Sequence, residues 1–272
     1  MVNKVIRPVF LSVLGLLWLV PVYLLIANAS KLPGDYSSAE VWKPAFGGAL
    51  LDNMRDVWER ADLGSTVMST LIYSVTGPLV GVLIGASVGF AIVALRLRHG
   101  FWWFVFIFGG TVFPLQMLLM PLFVGYAETG LYDTRIGLIL VYTVISVPFS
   151  AFVMRNFFTG IAHHVFEAAV VDGASTWRIF WRIYLPMSKS AMVAVFILQA
   201  TFIWNDLLLG LTLSQSNDVR PVMTALTALQ STYGGSAMPV VLAGGLLVSI
   251  PTVVLFLATQ RIFSRGLALG QF

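Results

Sequence analysis

Six apolar stretches dominate this chain: Val9–Ala27, Gly64–Leu95, Phe101–Gly125, Ile136–Met154, Ala191–Leu213 and Pro239–Phe263. A helix rising 1.5 Å per residue needs about 20 such residues to cross a bilayer. The second stretch exceeds that length, so it must tilt or project beyond the lipid. Lipid offers no partner to open backbone N–H and C=O groups, which leaves helices and closed barrels as the only spanning structures. No ten-residue alternation of the kind a barrel strand needs is present. With 58% of its 272 residues apolar and 10% charged, the chain could not clothe a water-soluble globule. The expectation is an all-α polytopic membrane protein of six transmembrane helices, with residues 1–272 as a single membrane domain.

Several chemistries fall away at once. Cysteine is absent, which removes disulfides, thiolate nucleophiles and cysteine-held metals. No Gly-Lys pair occurs, so the chain lacks the Gly-x-x-x-x-Gly-Lys-Ser/Thr loop that cradles phosphates. His164-Val165-Phe166-Glu167 matches part of a His-x-x-Glu-His zinc pattern, but Ala168 stands where the second histidine is needed. No metal site is expected. Nor does any long basic run with interleaved aromatics point to nucleic acid. Near the start, Lys4 and Arg7 precede an apolar run, and Ala27-Asn28-Ala29 resembles a leader-cleavage site. The run from Val9 to Ala27 outlasts the usual leader core of about 7–15 residues, so an uncleaved first helix is expected.

Basic residues set the orientation, because they gather on the cytoplasmic side. Placing the N-terminus inside puts Lys4, Arg7, Arg96, Arg98, Arg155, Arg178, Arg182, Lys189, Arg261 and Arg265 in the cytoplasm. Six remain outside, four of them in the long Asn28–Leu63 connection beside as many as six acids. Both termini are therefore placed in the cytoplasm. Of the acids, only Glu167 and Asp172 then fall on the inner side, close together in the connection 155–190.

That connection should be polar if water surrounds it. Instead it presents Ala168, Ala169, Val170, Val171, Ile179, Phe180, Ile183 and Leu185 at near-helical spacing. Gly173 breaks the pattern and Pro186 ends it, which predicts two short helices meeting at a bend. Their apolar face needs a cover. Lipid headgroups with Arg178 and Arg182 on anionic lipid would supply one, and a protein partner would supply another.

The string Glu167-Ala168-Ala169, three residues, Gly173, nine residues, Ile183, one residue, Leu185-Pro186 resembles the EAA loop of permease subunits in bacterial binding-protein-dependent ABC importers. Asp172-Gly173-Ala174-Ser175 and Trp204-Asn205-Asp206 resemble the carbohydrate-uptake branch, in the manner of the smaller maltose-type permease. The resemblance covers nearly the whole chain. It implies a type I ABC importer permease architecture in a bacterial cytoplasmic membrane, with the EAA loop docked in a groove of an ATPase subunit. By that resemblance Glu167 pairs with a basic group of the ATPase, Ala168 and Ala169 permit close approach, and Gly173 makes the bend. Asp172, Ile183, Leu185 and Pro186 complete the coupling set. The implied partners are a homologous second permease, two ATPase subunits that bind ATP and magnesium, an extracytoplasmic sugar-binding protein, and membrane lipid. The chain itself carries no cofactor and no ATPase chemistry.

Within the spans, Gly77, Gly81, Gly85 and Gly89 recur every four residues, a flat ridge along which another helix can approach. The partner helix is either in this chain or in another subunit. Pro78, Pro114, Pro121, Pro148 and Pro251 are candidate kinks. Polar residues inside spans are candidates for function: Gln116, Gln199, Trp204, Asn205 and Asp206 form a possible sugar path of amides, a carboxylate and an aromatic face. Trp204 as an interfacial aromatic and Asp206 at the outer surface is the structural alternative. Tyr233-Gly234-Gly235-Ser236 is a candidate contact with the binding protein, and the tail Ser264–Phe272 one with the ATPase. A stand-alone ion- or proton-coupled transporter is the competing function, although such folds place charge at midplane and repeat their halves. An intramembrane enzyme lacks any assembled nucleophile or metal set.

Overall fold

Helix makes up 80% of the computed structural model, and no strand occurs among the described residues. The structure describes residues 2–44, 48–233 and 238–268. In chain order the helices are α1 (Val2–Ala29), α2 (Leu50–Arg60), α3 (Leu63–Val93), α4 (Gly100–Gly109), α5 (Leu115–Thr129), α6 (Arg135–Thr159), α7 (His164–Val171), α8 (Thr176–Ile179), α9 (Leu185–Met187), α10 (Lys189–Trp204), α11 (Leu208–Leu213), α12 (Val222–Tyr233) and α13 (Met238–Ala268). A π-helical turn, Phe180–Tyr184, joins α8 to α9.

Among the described residues four single helices are long and apolar enough to span, namely α1, α3, α6 and α13; the run Thr176–Met187 and Lys189–Trp204 are apolar enough together but meet at 74°, and counting them as one span gives five. The expected count of six is not confirmed, because two of the six apolar stretches are broken. The stretch Phe101–Gly125 divides into α4 and α5. Around Gly109-Gly110 the chain tightens into three-residue turns, with Gly110, Thr111 and Val112 donating to Ile107, Phe108 and Gly109. Pro114 then opens α5 in an extended conformation (ψ 128°), as a residue without an N–H can only at a helix start. The stretch Ala191–Leu213 divides likewise into α10 and α11 at Asn205–Leu207. Pro78, Pro121, Pro148 and Pro251 all lie inside continuous helices.

The described chain forms two compact units. The first comprises residues 1–67 and 224–251. Here α1 presents its apolar side chains outward, Phe10, Leu16 and Trp18 among them, as a helix facing lipid does. Its C-terminal end, where Ala27 and Ala29 are buried, is tied by amides. Asn28 Nδ2 donates to the carbonyls of Leu24 (2.7 Å) and Val41 (2.9 Å), and Asn53 Nδ2 to those of Ala29 and Lys31 (2.8 Å each). Lys31 is buried, with its Nζ on Asn28 Oδ1 (2.8 Å) and the Glu40 carbonyl (2.7 Å). A buried ammonium needs such acceptors. Val57 of α2 and Leu226 of α12 converge on Gly244 of α13, where any Cβ would meet them at 2.8 and 2.6 Å.

The second unit comprises residues 68–223 and 252–272. Its centre is the glycine ridge of α3, filled by α6 of the same chain. Cβ atoms built at Gly77, Gly81 and Gly85 would stand 2.9, 2.6 and 2.5 Å from the Cβ atoms of Tyr142, Ser146 and Ser150, and one at Gly89 2.8 Å from the Arg155 nitrogen. Two four-residue rows therefore mesh backbone to backbone. Between helices in lipid, packing and hydrogen bonds must supply what hydrophobic transfer supplies in water. Ser146 and Ser150 suit this seam because each hydroxyl bonds a carbonyl four residues back (2.7 Å each), so no polar group is stranded. One apolar cluster flanks the seam towards Phe90, Met154, Phe158, Ile179, Phe180 and Tyr184. Another surrounds Tyr73, Leu138, Tyr142, Ile203 and Leu209.

Candidate functional site

The loop 155–190 begins where α6 ends with Phe158 fully buried. Helix α7 follows and seats buried Ala169 and part-buried Phe166 against the Phe90 cluster. Its other face is open: Glu167, Ala168, Val170 and Asp172 are exposed, and Val171 is 87% exposed. His163 Nε2 lies 3.6 Å from Glu167 Oε1, one helical turn away.

Gly173 terminates α7 with φ +74°. Its N–H donates to Val170 O (3.0 Å) and that of Ala174 to Ala169 O (2.9 Å). These two bonds make a Schellman motif, whose left-handed residue is normally glycine. Space is no constraint, since a Cβ on Gly173 would meet nothing within 4 Å. Backbone handedness alone requires glycine there. Ser175 then caps α8, its Oγ accepting from the Arg178 amide (3.4 Å).

The second helix ends at Met187, one residue beyond Pro186. A proline in a helix clashes with the carbonyl four residues back, but here the preceding turn is π-helical and Leu185 N–H reaches Phe180 O, five residues back. The widened turn admits the ring, and the chain bends by 74° only at Ser188. Ile183 is half-buried, Leu185 buried and Pro186 exposed.

A cavity of about 870 Å³ lies within the second unit, between α5, α10, α11 and the later part of α13. Gln116, Asn205 and Asp206 line it, with Thr201, Phe202, Leu208 and Phe256. Gln199 and Trp204 are buried and do not line it. Asp206 is itself buried and already engaged. Its Oδ2 accepts from the Tyr142 hydroxyl (2.9 Å) and from the Leu209 (3.1 Å) and Gly210 (3.2 Å) amides, so it caps α11 and ties it to α6. Asn205 Nδ2 bonds back to Thr201 O (2.8 Å).

Sequence reasoning passed over Tyr142 and a clasp around Asp133. The Asp133 carboxylate accepts from the amides of Gln215 (2.8 Å) and Ser216 (3.0 Å) and from the Ser216 hydroxyl (2.7 Å). Arg135 donates twice to Asp218 O, and Tyr73 to Val219 O. Partial burial pushes the Asp133 carboxyl up, but these amides, the hydroxyl and nearby Arg220 together hold it below its usual value. Partners some eighty residues apart leave no local trace in sequence. The one local sign is a Tyr-Asp-Thr turn before α6, with Asp133 at φ +55°.

Residues 77–268, from the glycine ridge through the loop to the end of α13, match the family described as binding-protein-dependent transport system inner membrane component. The chain belongs to this family. It is 29% identical over 251 residues to a diacetylchitobiose uptake system permease protein of Streptomyces coelicolor, covering 92% of this chain and 81% of that one. It is 27% identical to a melibiose/raffinose/stachyose import permease protein of Bacillus subtilis, covering 92% and 90%. The fold matches a chain in the crystal structure of a bacterial ABC transporter involved in the import of the acidic polysaccharide alginate, at TM-score 0.74 and 22% identity over 95% of this chain and 96% of that one. This is therefore an inner membrane permease of an ABC importer, a system that also needs an ATPase, a binding protein and a partner permease. As the permease, it is not itself the ATPase. A stand-alone ion- or proton-coupled transporter finds no support in these relatives.

Proposed function

We propose that this chain is one of two homologous permease subunits in an ATP-driven importer of mono- or oligosaccharides, and that α7 couples it to the ATPase. The observation that carries the coupling is the open face of α7. Val170 and Val171 are exposed beside Glu167 on a helix whose opposite side is fixed to the Phe90 cluster. Apolar surface of this kind needs a cover, and an acid in a mainly basic surrounding specifies one. Two ATPase subunits bind ATP and magnesium, and closure of that pair pulls α7. Because Ala169 of α7, Phe158 of α6 and Met192 of α10 pack in one cluster, that pull passes to α6 and α10 as a rigid-body movement.

Sugar as the substrate class rests on the named substrates of the two relatives. The cavity suits it, offering Gln116, Thr201 and Asn205 to hydroxyls and Phe202 and Phe256 to ring faces. Asp206, in the cavity wall, holds α11 to α6, while Gln199 and Trp204 stand buried behind that wall. An extracytoplasmic sugar-binding protein delivers the substrate, and both termini lie in the cytoplasm, as the basic residues favour. Residues 155–190 are the coupling loop of one membrane domain, 1–272; the turn 234–236 and the end of the tail, 269–272, lie outside the described residues.

The test is purification from the native membrane with mass spectrometry of what accompanies the chain, followed by uptake of labelled oligosaccharides in vesicles. An ATPase and a second permease should be recovered. Glu167→Lys should cut ATP-driven uptake at least tenfold while the chain inserts and melts as before. Unchanged uptake at normal membrane levels would defeat the coupling claim.

A further inference from the structure

The two halves of the loop carry opposite chemistry. The exposed face of α7 holds Glu167, Val170, Val171 and Asp172. The run Thr176–Met187 buries Ile179, Phe180, Tyr184 and Leu185 against its own chain and turns Trp177, Arg178, Trp181 and Arg182 outward. Trp177 is 70% and Trp181 42% exposed, their ring centroids 5.3 Å apart. Among the described residues neither Arg178 nor Arg182 makes an ion pair. The run meets α10 at 74°. If α10 crosses the bilayer, the run lies close to the membrane plane, at the end of a span, where tryptophan settles at the headgroup level and arginine meets anionic phosphate.

We propose that Trp177, Arg178, Trp181 and Arg182 form a lipid anchor that seats this run among anionic phospholipid headgroups, leaving α7 alone to meet a protein partner. Burial of the opposite face against the Phe90 cluster fixes which side faces the lipid. The rings then lie at the glycerol level and the guanidiniums reach phosphate. The anchor gives the loop a fixed base. Without it, a pull on α7 would tilt the run Thr176–Met187 instead of moving the bundle. The mechanical consequence rests on the coupling reading above, but the lipid contact itself does not.

The absence of cysteine makes the test direct. Val171→Cys, Trp177→Cys and Trp181→Cys are spin-labelled singly in the full-length chain, in vesicles of 3:1 phosphatidylcholine to phosphatidylglycerol. Relaxation by oxygen is compared with relaxation by a water-soluble nickel chelate. Labels at 177 and 181 should favour oxygen several-fold more than the label at 171, and added ATPase subunits should shield only the last. In the unlabelled chain, lipids brominated near the headgroup should quench a tryptophan component that Trp177→Phe with Trp181→Phe removes. Arg178→Gln with Arg182→Gln should shift the label at 181 towards water in the mixed vesicles, while pure phosphatidylcholine leaves the two forms alike. Each basic residue near an anionic surface contributes roughly a five-fold preference. Equal profiles at 171, 177 and 181, or shielding of 177 and 181 by the ATPase, would overturn the anchor. An arginine effect identical in both lipids would overturn its anionic part. Failure to recover any ATPase would sink the coupling reading and leave these lipid profiles unchanged.

Discussion

The α3–α6 seam and helix α7 lie at opposite extremes of packing within one unit. In the seam, four glycines and two serines bring backbones so close that no Cβ fits. In α7, Val171 is almost wholly exposed and a single glycine turn fixes the helix end. The seam has nothing left to offer a partner, whereas α7 has an entire face. A membrane protein that must pass on motion needs both, a stiff pair of helices and a surface still uncovered. Because interdigitated cores resist continuous deformation, displacement at α7 reaches α6 as a whole-helix movement.

The sharpest way to break this contrast is to put a side chain into the seam. Gly85→Leu would force a Cβ to within 2.6 Å of the Ala151 nitrogen, which is backbone and has nowhere to go. A loss of about 3 kcal/mol or more is expected, read as aggregation on size exclusion and a collapsed melting temperature in detergent. Gly125→Ala in α5, where a Cβ would meet nothing within 4 Å, should be neutral or slightly stabilising; equal damage from both would show that the seam is not special.

The Tyr142–Asp206 bond extends the stiff region from α6 to α11. Asp206→Ala should cost about 2–3 kcal/mol and Tyr142→Phe about 1–2. The double variant should fall short of the sum by about 1 kcal/mol, since both act on one bond. Strict additivity in a thermal or denaturant series would mean that the two act independently.

At the open end the effects should be smaller. Gly173→Ala meets no steric obstacle but must hold φ +74°, at about 1–2 kcal/mol. It should loosen α7 and speed hydrogen exchange at the amides of positions 173 and 174 while global melting moves little. A large drop in melting would make the turn part of the core.

Asp133 provides the mildest test, through pH. Its carboxyl is held below the usual value, so the folded state binds its proton less readily than the unfolded state. The clasp's contribution is therefore fully present above the ordinary carboxylate range, about pH 4. It is lost as the pH falls through that range and below. Asp133→Asn should lower stability at pH 7 by about 1 kcal/mol, given its partial exposure, and should flatten this acid dependence. An unaltered acid profile would assign the dependence to another carboxylate.

Much of this could be read from residue order. Segment apolarity dictates helices, because lipid satisfies no open backbone group, and the four-residue glycine spacing foretells a close helix approach. Glu167 to Pro186 announces two helices and a bend, since Gly173 and Pro186 act on their own turns. The breaks at Thr111–Pro114 and Asn205–Leu207 were less legible, as average hydropathy does not register a cap or a three-residue turn. The stop near Pro186 was legible to within a residue, but the π-helical turn that precedes it gives no sign in composition.

Residue order alone specifies the medium, the helical class and the loop that bears the coupling pattern, all consequences of side-chain chemistry acting within about twenty residues. That the glycine ridge is filled by α6 of the same chain, and that Asp206 is engaged by Tyr142, emerges only from the folded chain. The same holds for the clasp of Asp133 on a segment about eighty residues away, and for Trp177 and Trp181 facing outward while Phe180 and Tyr184 face in. Each of these depends on which surfaces meet in space, and a residue can satisfy only one neighbour's hydrogen bond or fill only one gap.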